Sequence, residues 1–490
     1  MQVQGSRMAR RTIRRPLVLA LALGLLPAAA SAEDLLQTYE QARQSDPTLA
    51  QAESTRLATK EDRVQARARL LPSLTGEARF SRTRTDSKYA GGSGNDDPND
   101  PNGPNGQPIP LGTKISNESS TRSYGLNASQ VIYNRSLIKG LQSQTKLSEA
   151  SDYTFESAGQ DLIVRTSQAY FNVLVALENL AATVASETAL QKQFDYTTKR
   201  LEVGLAPITD VHEARAQYDN ARAQTIIARN TVEDNYQALS QITGQPVTTL
   251  KALPADFKPN LPESQQVDAW VDNAVNSNPS LHAQKLQVES ADLAVETARA
   301  GHWPTLALNG GYSDNTGWSD RDLLGRTFET PASTTRGPTF GITLSIPLYS
   351  GGAVQSGVRQ ALARRDAAQD QYEFQRRQLV RSTRSAYQNL VAGISEVEAR
   401  RLAVVSAQAA YDASQVGLEV GTRTVLDVLN NQRTLLQAQQ SYAQSKYNFL
   451  LNRLLLEQAA GSLDIADVQD VNRLLSADAA TNLAPPPAMR

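Results

Sequence analysis

The sequence predicts an α+β fold in which one elongated helix–strand–strand–helix unit occurs twice along the chain. The first observation is a repeated tetrapeptide, Leu-Glu-Val-Gly, which ends at Gly204 and again 217 positions later at Gly421. The second is a pair of proline-free stretches rich in helix-forming residues, 136–203 and 353–420. The third is a pair of short segments of alternating apolar and polar residues before each stretch. Self-similarity at a fixed spacing indicates a duplicated structural unit.

The repeat divides the chain of 490 residues into unequal parts. Upstream, Asp-Pro-Thr-Leu at 46–49 matches Asn-Pro-Ser-Leu at 278–281. The spacing between the repeats changes after Pro72 because the first copy carries extra residues there, which predicts an exposed loop. We therefore expect an export signal at 1–32, a first repeat at 33–244, an inter-repeat linker at 245–265, a second repeat at 266–461 and a C-terminal tail at 462–490.

The first 32 residues have the pattern of a signal peptide. Four arginines lie between residues 10 and 15, an apolar core covers 17–26, and Ala30-Ser31-Ala32 offers small residues for cleavage. The core is too short to span a bilayer. We expect no membrane-spanning helix in the mature chain, because no other apolar run approaches the roughly 18 residues required.

Composition excludes several classes of function. The absence of cysteine excludes a disulfide framework and the residue on which a lipoprotein anchor is built. A net charge of −1 provides no basic field for nucleic acid. His212, His282 and His302 share no metal-ligand spacing, and no serine or carboxylate constellation indicates hydrolysis. We expect no metal, no cofactor and no enzymatic activity.

In the first copy we expect a helix over 34–70 with a break at Pro47, and a strand after Pro72. A loop dense in Gly, Asn, Asp and Pro follows at 91–112, and a second strand covers 123–133.

The second copy predicts a strand at 305–313, a loop at 314–337 and a strand at 340–349. Along this last strand Phe340, Ile342 and Leu344 point one way and polar or small residues the other. Such alternation also fits an ordinary strand on a soluble core.

The two proline-free stretches predict helices of about 68 residues, each roughly 100 Å long at about 1.5 Å per residue. Each ends at a glycine, which suits a helix terminus that requires positive φ. The chain then returns in helices at 209–242 and 424–459. A coiled-coil seam in the first helix follows steps of four and three through Tyr170, Leu174, Leu177, Ala181 and Val184.

Four strands cannot close a membrane barrel within one chain, because eight is the small end for such barrels and lipid does not tolerate an open sheet edge. If the strands face lipid, several chains must share the barrel. Two chains would give 8 strands and three would give 12, and the residues alone leave both open.

The hairpin turns carry a resemblance to a known family. The signal peptide, the duplicated unit and these turns closely resemble the TolC family of outer-membrane efflux and secretion channels over nearly the whole mature chain. The matching segments are Val203-Gly204-Leu205, Ile208-Thr209-Asp210-Val211, Val420-Gly421-Thr422-Arg423-Thr424 and Leu426-Asp427-Val428-Leu429.

The resemblance implies an α+β membrane protein that assembles as a homotrimer. Four strands per chain would form one 12-stranded outer-membrane β-barrel, continued by a periplasmic coiled-coil barrel of long helices. The linker and the C-terminal tail would supply much of an equatorial belt around these helices.

The resemblance also implies site residues at the periplasmic end. Arg423 would bond to Asp210 and Thr209 across subunits, as a directional and breakable latch. Asp427 would form a ring of carboxylates at the pore entrance, where the family has a second acidic residue and this chain has Asn430. The hairpin tips would contact a periplasmic adaptor through Val203, Gly204, Leu205, Val420, Gly421 and Thr422. Leu418 stands where the best-known members have a tyrosine that supports the latch.

The function that the resemblance implies is a passive exit duct for proteins or small toxic compounds in type I secretion and multidrug efflux. Its partners would be a membrane-fusion adaptor, an inner-membrane ABC or RND/MFS transporter reached through that adaptor, and outer membrane lipid. The long helices alone also allow a periplasmic coiled-coil scaffold without a barrel. The strand alternation, the duplication and the glycine-rich loops favour the duct, placed in the outer membrane and extending into the periplasm.

Overall fold

The computed structural model describes residues 33–88, 112–254, 257–260, 266–323 and 325–479. The predicted export signal and nearly all of the loop predicted at 91–112 lie outside these residues. The first copy contains α1 (Leu35–Ser45), α2 (Pro47–Ala68), β1 (Ser73–Lys88), β2 (Lys114–Tyr133), α3 (Arg135–Glu202) and α4 (Ile208–Thr243). After β3 (Lys251–Ala252), the second copy contains α5 (Val267–Ser277), α6 (Pro279–Arg299), β4 (Thr305–Leu323), β5 (Arg326–Ser345), α7 (Ala353–Glu419) and α8 (Val425–Ala460), followed by α9 (Ile465–Leu474) and β6 (Ala477–Asp478).

Polar caps and glycines set the helix boundaries close to their predicted positions. Asp46 accepts a hydrogen bond from the Leu49 N–H at 3.0 Å, with Pro47 at the first position of α2. Asn278 caps α6 in the same way, at 3.1 Å from the Leu281 N–H. The long helices and their returning partners each begin and end within one residue of the prediction.

The strands are longer than the sequence suggested. β2 begins nine residues before the predicted start, and the loop predicted at 314–337 is wrong, because β4 and β5 continue through it to a tight turn at Gly325, where φ is +76°. Cross-strand pairing satisfies the polar residues of this stretch, as the 3.0 Å contact between the Thr316 and Thr334 hydroxyls illustrates. β5 ends at Ser345, four residues early, just before Pro347, which has no N–H to donate.

The four long strands form one antiparallel sheet in the order β1-β2-β4-β5. One face is polar, and hydrogen bonds cross it from Ser129 to Asn309 at 3.0 Å and from Asn309 to Thr343 at 3.2 Å. The opposite face carries a continuous row of exposed apolar side chains that the strand register brings together: Leu74, Phe80, Tyr124, Leu126, Leu308, Tyr312, Phe340, Ile342 and Leu344.

The predicted coiled-coil seam of α3 is buried at its start but not at its end. Tyr170 and Leu174 are fully buried, but Ala181 and Val184 are only half-buried. Farther along α3 the intrachain packing instead uses residues such as Leu180, Thr183 and Leu190. The seam prediction is therefore only partly correct.

One long helix is more apolar than the sequence analysis indicated. By length and composition, α3 contains a stretch that is apolar enough to cross a membrane. Apart from Ala150, the buried apolar residues of α3 lie between Leu162 and Leu190, where the helix contributes to the cores of the chain. Core packing accounts for this composition.

The linker and the tail meet in the middle of the helical part. β3 pairs antiparallel with β6, and Glu33 bridges to Leu250 beside them. The Tyr170 hydroxyl donates to the Lys251 carbonyl at 2.7 Å and accepts from the Lys251 N–H at 3.0 Å. The main hydrophobic core therefore joins α1, α3, α8, the linker and the described part of the tail, where Val468 of α9 is fully buried.

Candidate functional site at the hairpin tips

Both helical hairpins turn through the same backbone motif. In the first, Gly204 has φ +76°, its N–H donates to the Leu201 carbonyl at 2.9 Å, and the Leu205 N–H donates to the Arg200 carbonyl at 2.8 Å. This is a Schellman motif, which requires the left-handed conformation that glycine adopts without strain.

The second turn repeats this motif. Gly421 has φ +80°, and the Thr422 N–H donates to the Gly417 carbonyl at 2.8 Å. The two tips are therefore built alike, and their differences lie in the side chains.

The returning helices start differently. α8 is capped by Thr424, whose N–H and hydroxyl both donate to the Asp427 carboxylate at 2.9 Å. The hydrogen bond from the Thr424 N–H, then that from its hydroxyl, and the charge of Arg423 hold the pKa of Asp427 below its usual value. Asp427 is therefore ionised and pinned at the start of α8. The Thr-x-x-Asp spacing at 424–427 could have indicated this capping box from sequence.

α4 has no such cap. Pro207 occupies the N-cap position and makes no side-chain hydrogen bond there. The carboxylate of Asp210, which corresponds to Asp427 in the repeat, has only a long contact of 3.4 Å with the Thr209 hydroxyl. Of these two corresponding acidic residues, Asp427 is therefore held by capping hydrogen bonds at the start of its helix and Asp210 is not.

Of the three predicted latch residues, Asp210 and Arg423 lie near each other in space, and Thr209 is not part of the cavity that they line. Asp210 and Arg423 line one cavity of about 330 Å³ between the two hairpins, together with Arg200, Glu213 and Tyr196. In the part of the chain that the structure describes, Asp210 and Arg423 form no ion pair with each other. Arg200, which sequence reasoning missed, donates to the Leu205 carbonyl at 3.3 Å and lies over the Tyr196 ring.

An apolar cluster holds the two hairpins against each other beside this cavity. Leu418 is 7% exposed and packs with Leu190 of α3, Ala221 of α4, and Val425, Val428 and Leu429 of α8. Leu418 is thus part of an intrachain core and has no hydroxyl to donate.

The predicted adaptor-contact residues are exposed. Val203 and Val420 are each 69% exposed and Leu205 is 67% exposed. Gly204, Gly421 and Thr422 are exposed as well. Apolar side chains held outward on rigid turns are typical of a protein-binding surface.

The predicted pore residue Asn430 lies one turn beyond Asp427 on α8 and is exposed. Its side-chain amide oxygen Oδ1 accepts a hydrogen bond from the Arg433 guanidinium at 3.4 Å. Arg433 was not predicted, although its i+3 spacing from Asn430 on a helix indicates the contact. Among the described residues, no group of three or more His, Cys, Asp or Glu side chains could hold a metal ion.

Comparison with known proteins places the chain in a family. The sequence profile of the outer membrane efflux protein family matches residues 38–245 and 270–462. The chain is 36% identical to Outer membrane protein TolC of Escherichia coli (strain K12) over 474 residues, which is 95% of this chain and 90% of that protein. It is 27% identical over 468 residues to Proteases secretion protein PrtF of Dickeya chrysanthemi, covering 94% of each. The Campylobacter jejuni CmeC outer membrane channel matches with a TM-score of 0.70 at 18% identity, covering 97% of this chain and 98% of that one.

The fold and the tips define a channel protein whose sheet continues into long helical hairpins. The chain belongs to the outer membrane efflux protein family, as the resemblance implied. It is an outer membrane channel for efflux and type I secretion that extends into the periplasm. The prediction that the chain is an outer membrane duct is therefore confirmed, and the alternative of a periplasmic scaffold without a barrel is set aside. The family is one of transport channels and not of enzymes.

Proposed function

We propose that the chain works as a homotrimeric exit duct whose periplasmic end is closed by Arg423, Asp210 and Thr209. The main support for this proposal is the cavity between the hairpins. Both Arg423 and Asp210 line this cavity, and they form no ion pair with each other within the chain. Two opposite charges left unpaired at a tip are suited to a bond between neighbouring subunits. Such a bond is directional, and competing contacts can break it.

The sheet supports a shared barrel. Among the described strands, β1 pairs only with β2, and β5 pairs only with β4. Lipid does not tolerate open edges, so the apolar face of this sheet requires neighbouring chains to complete a barrel. Three chains would supply 12 strands, and outer membrane lipid would cover the apolar face.

The exposed tips support docking of a periplasmic membrane-fusion adaptor. Val203, Leu205 and Val420 would provide the apolar contact, and the adaptor would connect the duct to an inner-membrane ABC or RND/MFS transporter. The relative from Dickeya chrysanthemi is named for the secretion of proteases, so secreted proteins are one class of cargo to test. The linker and tail, packed beside α1 and α3, would form the equatorial belt.

Single-channel conductance in a planar bilayer tests the latch. Purified trimers of the wild type and of the Asp210→Ala/Arg423→Ala variant are compared, and conductance should rise several-fold in the variant because the link between subunits is lost. Arg215→Ala/Asp219→Ala is the matched control, since this exposed pair on α4 removes the same two charges away from the cavity.

Three other results would each have a different meaning. A large wild-type conductance that both variants leave unchanged would keep the pore and reject the latch. No conductance from folded trimers would count against the duct. A rise in the control as large as that in the latch variant would assign the effect to general loss of charge.

A further inference from the structure

Gly417 occupies an unusual place near the end of α7. Its carbonyl oxygen accepts three hydrogen bonds from the turn, from the Thr422 N–H at 2.8 Å and from the Arg423 N–H and the Thr422 hydroxyl at 3.1 Å each. Glycine is less favourable than alanine inside a helix, because it loses more backbone freedom on folding. Gly417 lies within α7 and is not among the positive-φ glycines. Backbone conformation therefore does not explain why it is glycine.

The neighbouring side chain provides an explanation. A Cβ atom at position 417 would lie 2.6 Å from Cγ and 3.2 Å from Cβ of Arg423, and 3.2 Å from Oγ1 of Thr422. Cγ and Cβ stand at the root of the arginine side chain. They cannot move aside as a flexible tip could, so Arg423 would have to leave its position.

The first hairpin shows the reverse arrangement. Positions 417 and 423 correspond, at the repeat spacing of 217, to Arg200 and Ala206. In the second hairpin the helix contributes the glycine and the turn contributes the arginine; in the first, the helix contributes the arginine and the turn a small residue. Each hairpin thus has one large and one small side chain at these two corresponding positions. Both arginines line the cavity that contains Asp210.

We propose that Gly417 is a positioning residue of the gate. Its missing side chain creates the surface on which the aliphatic base of Arg423 rests, and this contact directs the guanidinium toward the cavity instead of along α7. The proposal depends on the proposed latch for its effect on conductance, but the contact itself is independent of that role.

Gly417→Ala tests the proposal, with Gly357→Ala as the matched control. Gly357 lies in the same helix, and a Cβ there would meet nothing within 4 Å. In single-channel recordings, Gly417→Ala should raise conductance several-fold, toward the value of Arg423→Ala, and Gly357→Ala should match the wild type. The double variant Gly417→Ala/Arg423→Ala should conduct no more than Arg423→Ala alone, because the displaced side chain is then absent.

A merely structural role would give a different pattern. If Gly417 only maintains the turn, its substitution would raise conductance equally with and without Arg423, which would overturn the proposal. Arg423→Ala raising conductance while Gly417→Ala does not would also overturn it and leave the latch intact.

A density map of the Gly417→Ala trimer separates this proposal from the latch. It should show Arg423 displaced from residue 417, and an unmoved Arg423 would reject the proposal whatever the conductance. Should Gly417→Ala fail to assemble, Gly417→Arg/Arg423→Ala provides the pairing that already occurs in the first hairpin. This variant should form trimers with raised conductance. Wild-type conductance from it would show that the surface that Gly417 provides for Arg423 is not needed.

Discussion

Single side chains on the first turns of α8 set the charge at the proposed pore entrance. Asp427 is ionised and fixed by its capping hydrogen bonds, Asn430 is neutral, and the guanidinium of Arg433 donates to Asn430. In a trimer each position would occur three times around the pore. One ring of carboxylates with arginines nearly two turns farther along the helix predicts only weak preference for cations.

Asn430→Asp should therefore raise cation selectivity. The added carboxylate would double the number of acidic groups near the entrance and would pair with Arg433. We expect the potassium-to-chloride permeability ratio, from reversal potentials in asymmetric salt, to rise several-fold. Asn448→Asp is the control, because it adds the same exposed charge on α8 about 27 Å farther along the helix. Equal effects of the two changes would place Asn430 away from the narrow part of the pore.

Asp46 is a second residue at which the charge of one side chain affects the molecule, in this case its stability at low pH. Burial raises its pKa, but hydrogen bonds from Arg165 at 2.8 Å, from the Leu49 N–H and from Thr48 outweigh burial and hold the pKa below its usual value. The folded chain thus binds a proton less readily than the unfolded chain. The stabilisation is complete above the unfolded pKa of about 4 and is lost as pH falls through the lower folded value.

Asp46→Asn should flatten the acid side of the stability profile. Asparagine keeps the cap, as Asn278 does at the matching place in the second repeat, but it loses the ion pair with Arg165. At pH 7 we expect a loss of about 1–3 kcal/mol, typical of a hydrogen bond to a charged group. The thermal midpoint of the variant should approach that of the wild type as pH falls from 5 to 3. A constant gap would show that the charge of Asp46 contributes nothing.

At the scale of elements, the sequence predicted where helices begin and end better than which strands pair and which side chains meet. Pro47, Pro72, Gly204 and Gly421 act through local backbone geometry, so the ends of the long helices and their returning partners could be placed within a residue and the end of α2 within two. The strands through 314–337 could not, because this stretch contains Asp, Asn, Gly and Pro, which are depleted in strands and become regular only when a neighbouring strand pairs with them. The contact between Gly417 and Arg423 needed coordinates, since six positions in sequence do not specify a turn across which side chains meet.

A buried ionic network joins α3 to α8. The Lys446 ammonium and the Tyr447 hydroxyl donate to the same oxygen of Glu178, at 2.8 and 2.9 Å. The side chains of Lys446 and Glu178 are 8% and 14% exposed. Removing one partner of such a pair leaves a charge without compensation in the interior.

Glu178→Ala should therefore destabilise the chain by about 3–5 kcal/mol. Glu149→Ala on the same helix is the control, because its ion pair with Lys146 is half-exposed and contributes at most about 1 kcal/mol. Thermal unfolding in detergent at a fixed scan rate measures both, since many large proteins unfold irreversibly. Similar midpoints for the two variants would mean that water reaches Lys446 and replaces the glutamate.

At the scale of the whole molecule, the two faces of the sheet meet different surroundings. On β5, Ile342 belongs to the apolar row and is 68% exposed within one chain, whereas the adjacent Thr343 accepts a hydrogen bond from Asn309 on the polar face. In a closed barrel the first face would meet lipid and the second would line the lumen. One position along the strand thus decides between hydrocarbon and water.

Ile342→Arg and Thr343→Arg test this assignment with the same new side chain. An arginine facing lipid costs up to about 2–4 kcal/mol, depending on depth, and the trimer would bear this cost three times. We expect Ile342→Arg to remove most of the heat-resistant trimer from outer-membrane fractions. Thr343→Arg should assemble normally and lower cation conductance, because its charge would stand in the water-filled lumen. Normal assembly of both variants would mean that the apolar row faces something other than lipid, and the shared barrel would then need another explanation for that row.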